Sequence, residues 1–174
     1  MTEKTKTRAQ LSEGEETVLQ AIRRWRYSAV DLADVKIVGA ERVRLAGAVR
    51  PFMDLLREAD PYVVRVNRTT DPSMTLFELQ LLYILSECRA GNSATTTELL
   101  DWWFPDRLVA NARVLLEDFA FTIDTLALAF NSSAWIRDHL LSVTNKRIKQ
   151  TNGSLRGSAA TRFGFWAERT VTFH

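Results

Sequence analysis

The sequence predicts a mainly α-helical single domain of five or six helices, and three observations support this prediction. Apolar residues make up 46% of the 174 residues, enough for one domain to bury a core. Helix-capping residues recur just before segments whose apolar side chains are three and four positions apart. The most apolar of these segments spans residues 74–130. We divide the chain into a disordered tail over 1–10, a helical domain over 11–150, and a basic flexible segment with a C-terminal strand over 151–174.

The first helix is predicted from a capping box. Ser12 and Glu15 have the spacing at which a hydroxyl and a carboxylate each accept from the other residue's backbone N–H, and the helix should run to about Tyr27. Three arginines crowd its end: Arg23, Arg24 and Arg26. Cations stabilise the negative end of a helix dipole, which is the simpler interpretation, and an anion-binding surface is the alternative.

A second helix is predicted over Ala40–Ala59. Pro51 lies inside it and should kink the helix or split it, because proline removes one backbone hydrogen bond. Short β-branched runs flank this helix at 34–39 and 61–66. Both fit a strand, although a helical turn fits the first run almost as well.

Another capping box opens the most apolar part of the chain. Thr75 and Glu78 predict the start of a helix that should end near Arg89, because Gly91 and Asn92 tolerate the left-handed conformation that follows a helix.

Two further helices are predicted after this one. Thr95 lies three residues before Glu98, which predicts a short helix over 98–104. Pro105 should end that helix and occupy the first position of the next, which we expect over 106–130.

The C-terminal part changes character. A last helix is predicted over 134–150, after the cap-forming residues at 131–133. Apolar side chains then fall on odd positions between 163 and 173, a period of two that indicates a strand. This strand could join a small sheet with the two earlier candidates or dock on a partner.

Composition excludes several classes of protein. The net charge of +2 is close to neutral, and the single Cys88 excludes an internal disulfide and fits a reducing compartment. The N-terminal residues lack the apolar run of a secretory signal, and the most apolar run, 119–130, is shorter than the roughly 20 residues of a membrane span. The seven glycines form no nucleotide-binding pattern. We therefore expect a cytoplasmic protein without a cofactor, a bound metal or a membrane anchor.

Two residues are candidates for ligand binding. His139 follows Trp135 by one helical turn, and a single histidine could supply an axial ligand to a tetrapyrrole, although an ordinary helix residue is the simpler interpretation. Asp124 has mostly apolar helical neighbours, so it is either part of a narrow polar stripe, one half of a buried ion pair, or a catalytic acid. Cys88 is not expected to be a nucleophile, since it lies near the C-terminal end of a predicted helix and gains no N-terminal dipole that would lower the pKa of its thiol.

Aromatic residues on the short helix are the candidates for a protein interface: Trp102, Trp103 and Phe104. Successive helical residues are about 100° apart, so the two tryptophans cannot point the same way. One of them could face a groove or a partner, as exposed tryptophans do in interfaces.

Basic residues near the C-terminus are the candidates for binding nucleic acid: Lys146, Arg147, Lys149, Arg156 and Arg162, with Trp166. Cations beside aromatic side chains can follow phosphates and stack bases. A basic helix end with a solvated loop is the simpler interpretation.

The sequence thus favours a non-enzymatic adaptor, accessory or assembly protein that binds another protein through an apolar helical groove and forms a homo-oligomer, most simply a dimer. A nucleic-acid-binding or regulatory protein using the basic C-terminal region is the second interpretation. A small-molecule or tetrapyrrole binder is the third, and an enzyme with an unfamiliar site is the fourth.

Overall fold

A computed structural model describes residues 11–27, 39–130, 136–138 and 140. Helices and their connections make up the described part of the chain, which contains no strand, so the prediction of a mainly α-helical fold is confirmed. The first five helices, in chain order, are α1 (Glu13–Tyr27), α2 (Ala40–Ala59), α3 (Leu76–Arg89), α4 (Ser93–Trp103) and α5 (Asp106–Thr125). The chain divides into two compact units, Met1–Ser133 and Ala134–His174, and the described residues of the second are helical.

Both α1 and α3 begin at the predicted capping boxes. The backbone N–H of Ser12 donates to Glu15 Oε2 at 2.8 Å, and Glu15 N–H donates to Ser12 Oγ at 3.3 Å. The same reciprocal pair joins Thr75 and Glu78 at 2.8 and 3.1 Å. Each box satisfies two backbone donors that a helix start leaves without an internal partner.

Helix α2 has the predicted bounds and is not split at Pro51. The proline is exposed, and so is Gly47, whose carbonyl loses its usual hydrogen bond. Water can therefore replace the missing donor. Five side chains on the opposite face are buried and hold the helix to the core: Leu45, Val49, Phe52, Met53 and Leu56.

The predicted start of α4 is wrong. The helix begins at Ser93, five residues before Glu98, and Asn92 precedes it without a side-chain cap. The hydroxyls of Thr96 and Thr97 donate to carbonyls one turn earlier, each at 2.9 Å, so threonines in this segment bond within the helix.

Helix α5 ends at Thr125, five residues before the predicted end. Ala127 adopts a positive φ of 51°. Its N–H donates to the Asp124 carbonyl at 2.9 Å, and Leu128 N–H donates to the Ile123 carbonyl at 3.1 Å, which together make a Schellman ending. Glycine usually occupies this position, so an alanine gives no sign of it in the sequence.

The strand candidate at 61–66 is also wrong. Tyr62 N–H donates to the Asp60 carboxylate at 2.9 Å and Val63 N–H to the Asp60 carbonyl at 3.3 Å, so this segment is a turn that leads into a loop. The candidate at 34–39, apart from Gly39, and the candidate at 163–173 lie outside the described residues, as does most of the helix predicted over 134–150.

The core of the first unit lies around α5, which packs against α2, α3 and α4, while α1 packs mainly against α2. Two aromatic contacts join these parts of the core. The Phe52 and Phe104 rings meet edge to face at 5.9 Å, and the Phe77 and Trp103 rings are tilted at 5.5 Å. Within the described part of the chain, no helix is both long and apolar enough to cross a membrane.

Candidate protein-binding groove

A groove of about 330 Å³ runs between α1 and α2. Side chains from both helices line it: Glu16, Thr17, Gln20, Ala21, Arg24 and Trp25 from α1, and Arg42, Leu45, Ala46, Val49 and Arg50 from α2. We call it the arginine groove.

Helical spacing explains why these residues share one groove. On α1, Thr17, Gln20 and Arg24 are three and four positions apart, so they border the face that packs on α2. On α2, Arg42 and Arg50 are eight positions apart and flank the floor. Small or branched apolar side chains make that floor: Ala21, Leu45, Ala46 and Val49.

Positive charge dominates the described lining, in which three arginines stand against one carboxylate. Arg50 is exposed and forms no ion pair with any described residue. The single acid, Glu16, accepts from Gln20 Nε2 at 3.0 Å. Gln20 Nε2 also donates to the Thr69 carbonyl at 3.2 Å, which ties this wall to the loop before α3.

Trp25 forms a fixed wall of the arginine groove. Its indole N–H donates to Asp54 Oδ1 at 3.0 Å, and the Arg57 guanidinium lies 5.3 Å from the ring centroid. Arg57 in turn pairs with Asp54 at 3.1 Å. Two α2 side chains therefore hold the indole in place, so this part of the groove is formed before any partner arrives.

The three aromatic residues predicted for an interface do not line this groove. Trp103 and Phe104 are buried in the core, at 9% and 4% exposure, and contact Phe77 and Phe52 respectively. Trp102 alone keeps a partly exposed side chain.

Asp124 lies at the surface. Its carboxylate is about half exposed and pairs with Arg89, whose Nε and Nη2 lie 2.7 and 2.6 Å from Oδ1. The Arg89 guanidinium also lies 5.1 Å from the centroid of the Phe130 ring. Asp124 therefore takes part in a surface ion pair.

The other predicted candidates for ligand or nucleic-acid binding, His139 together with Lys146, Arg147, Lys149, Arg156, Arg162 and Trp166, lie outside the described residues. Within the described ranges, no three histidine, cysteine or carboxylate side chains lie close enough to hold a metal ion.

Cys88 is a weak candidate for chemistry. Burial raises the pKa of its thiol above the ordinary value of 9.0, and the negative charge of Glu117 raises it further. The thiolate is the nucleophilic form, so the raised pKa disfavours reaction of this group near neutral pH.

The sequence groups Arg23 with Arg24 and Arg26 at the end of α1, but in the structure their surroundings differ. Arg24 and Arg26 are exposed, whereas Arg23 is fully buried and donates to the carbonyls of Arg68 (3.1 Å), Asp71 (2.6 Å) and Ser73 (2.5 Å). The signal was present in the sequence, because Arg23 lies four residues after Leu19 on the apolar face of α1.

No protein-family model, curated protein or solved structure matches this chain.

Proposed function

We propose that this is a non-enzymatic interaction protein that binds an acidic, amphipathic helix of a partner protein in the arginine groove. The observation that carries the proposal is the combination of an apolar floor with three arginines along a groove between two helices. A partner helix that lies in such a groove buries its apolar face on the floor and places its polar residues at the edges. Acidic residues at those edges would meet Arg24, Arg42 and Arg50.

A protein ligand fits the described lining better than nucleic acid does. Glu16 lies within the lining. Its carboxylate repels a continuous phosphate backbone, whereas a partner helix can place its acidic residues selectively. The alternative, nucleic-acid binding through the basic C-terminal residues, becomes an outcome of the test. The single cysteine favours the cytoplasm as the site of this binding.

Synthetic ligands can test this proposal without knowledge of the natural partner. Three fluorescent probes are compared by anisotropy: an amphipathic helical peptide with leucine on one face and glutamate on the other, the same peptide with lysine in place of glutamate, and a single-stranded oligonucleotide. We expect the acidic peptide to bind most tightly. Charge reversal by Arg50→Glu, or by Arg42→Glu, should weaken its binding about tenfold or more, as for a charge pair at the edge of an interface.

The matched control is Arg44→Glu, which makes the same charge change on the same helix at an exposed position outside the groove lining. It should leave peptide binding nearly unchanged. Equal loss with Arg44→Glu and Arg50→Glu would show only a general charge effect and would contradict the proposal. A preference for the oligonucleotide would replace it with nucleic-acid binding, in the groove if both groove variants abolish that binding and through the basic C-terminal residues if neither does.

A further inference from the structure

Phe121 is an unusually exposed aromatic residue on α5, with 71% of its surface accessible. Its neighbours one helical turn away on either side are acidic: Glu117, Asp118 and Asp124. Val114, seven residues before Phe121 on the same face, is also exposed, at 55%. This surface of α5, which we call the acidic face, is an amphipathic helix surface with a large apolar side chain among carboxylates.

We infer that the helix bound by the arginine groove is the acidic face of a second copy of this chain. The inference rests on the proposed function of the groove and names its partner. Phe121 would pack on the apolar floor of the groove, and the surrounding carboxylates would contact the arginines of the groove.

The charges of the two surfaces are complementary. Asp118 is exposed and forms no ion pair with a described residue. Arg50 in the groove is likewise exposed and forms no ion pair with a described residue. Glu117 and Asp124 already pair with Arg113 and Arg89, at 2.8 and 2.6 Å, but each is about half exposed. A carboxylate can accept from more than one guanidinium, so these acids can still bind arginine.

Phe121 should supply most of the affinity. Pairs of exposed charges contribute little, whereas burial of a large aromatic side chain in a pocket is typical of the residues that dominate interfaces. Phe121 is exposed in its own chain, so it does not fill its own groove. The floor of a second molecule is therefore a suitable site for it.

The contact joins two different surfaces, the groove of one molecule and the acidic face of the other. A single contact leaves one groove and one acidic face unused. Association closes where these two also meet, as in a two-fold dimer or a ring, and otherwise continues. The dimer that the sequence favours is the smallest closed form of this contact.

Two variants that each remove one surface test the inference. Phe121→Asp removes the aromatic side chain that should supply most of the affinity of the acidic face and keeps the groove, whereas Arg42→Glu combined with Arg50→Glu reverses the charge of the groove and keeps the acidic face. We expect the wild type to form a dimer or a larger species in sedimentation velocity as its concentration rises. Each variant alone should weaken self-association at least about 30-fold, the loss typical of a dominant interface residue. An equimolar mixture should form a one-to-one heterodimer and nothing larger.

Two controls accompany these variants. Tyr62→Asp removes another highly exposed aromatic residue that lies on neither surface and should associate like the wild type. Asp118→Lys reverses one charge on the acidic face and should weaken association without loss of fold, which an unchanged urea midpoint would verify.

Several outcomes would overturn the inference. The first is a wild type that stays monomeric up to about 1 mM, which is the range of weak specific association. The second is self-association that survives in either variant. The third is an equimolar mixture that forms no heterodimer. If the wild type is monomeric but still binds the acidic peptide through Arg50, the groove keeps its proposed function and only the second-copy partner is lost. Loss of peptide binding as well would remove both.

Discussion

The Arg23 guanidinium and the Glu78 carboxylate form a bidentate ion pair in which both side chains are fully buried. Nε lies 2.7 Å from Oε1, and Nη2 lies 3.0 Å from Oε2. Glu78 also accepts from the backbone N–H groups of Asn67 (3.0 Å) and Thr75 (2.8 Å). The same carboxylate therefore completes the capping box of α3, holds the preceding loop and neutralises an arginine from α1. Such complete pairing is the condition under which a buried charge is tolerated.

Glu78→Gln should be strongly destabilising. It leaves the Arg23 charge buried without a counter-ion, for which the expected cost is about 3–5 kcal/mol. Glu117→Gln breaks the exposed pair with Arg113 and should cost less than about 1 kcal/mol. Urea unfolding of both variants gives the comparison. Similar losses of unfolding free energy would show that the buried Arg23–Glu78 pair contributes no more to stability than the exposed Arg113–Glu117 pair.

The double variant Arg23→Met, Glu78→Leu tests whether the hydrogen bonds of this pair to the backbone also stabilise the fold. Replacing a buried ion pair by apolar side chains is often neutral or stabilising. Here we expect it to remain several kcal/mol less stable than the wild type, because three loop carbonyls and two backbone N–H groups lose their partners at about 1–3 kcal/mol each. Wild-type stability in urea would mean that water replaces those partners without loss.

Reciprocal local contacts explain which parts of the fold the sequence predicted. The starts of α1 and α3 depend on two residues three positions apart, and both were found at Ser12 and Thr75. The same spacing at Thr95 was misleading because the backbone is already helical there. The end of α5 was missed because an alanine at 127 occupies a position at which the sequence rules expect glycine.

The groove could not be predicted from local patterns. It forms only when α1 packs on α2, and its arginines come from positions far apart in the chain. The place of Arg23 on the apolar face of α1 is visible in the sequence, but its hydrogen-bond partners are not, because they are carbonyls 45 to 50 residues away. In contrast, the dense aromatic run at 102–104 suggested an interface, and two of its three side chains complete the core.

Gly14→Ala and Gly47→Ala should have opposite effects. A Cβ on Gly14 would contact the Ala129 carbonyl oxygen and lie 2.6 Å from the Ala129 nitrogen, so α1 or the segment after α5 would have to move. We expect a loss of about 1–3 kcal/mol. At Gly47 a Cβ meets nothing within 4 Å in an exposed part of α2, so alanine should stabilise by roughly 0.5–1 kcal/mol. Thermal and urea unfolding measure both, and a loss at both positions would contradict the close-approach argument.

Trp103→Ala and Trp102→Ala distinguish a core role from a surface role for adjacent tryptophans. Trp103 is buried against Phe77, and its truncation should cost about 3–5 kcal/mol. Trp102 is partly exposed, so its truncation should cost clearly less and leave α4 folded. Urea unfolding followed by circular dichroism compares the two variants. Equal costs would contradict the assignment of Trp103 alone to the core.

Cys88 should react slowly with a neutral alkylating reagent at physiological pH. Burial is the main cause of its raised pKa, and the negative charges of Glu117 and Asp124 act in the same direction against the positive charge of Arg113. The rate of reaction with iodoacetamide should therefore reach its midpoint above pH 9.0 in the folded protein. Glu117→Gln should lower that midpoint, since it removes a charge that disfavours the thiolate. A midpoint at or below 9.0 in the wild type would contradict the described burial.

The same raised pKa predicts how the stability of the fold depends on pH. The folded chain holds the Cys88 proton more tightly than the unfolded chain, so this group contributes its full stabilisation below pH 9.0. The contribution is then lost as the pH rises through the pKa of the folded state. Cys88→Ser removes this titration, so the unfolding free energy of the wild type relative to that of the variant should fall as the pH rises above 9.0. A constant difference across that range would show that the thiol has the same pKa in the folded and unfolded chains.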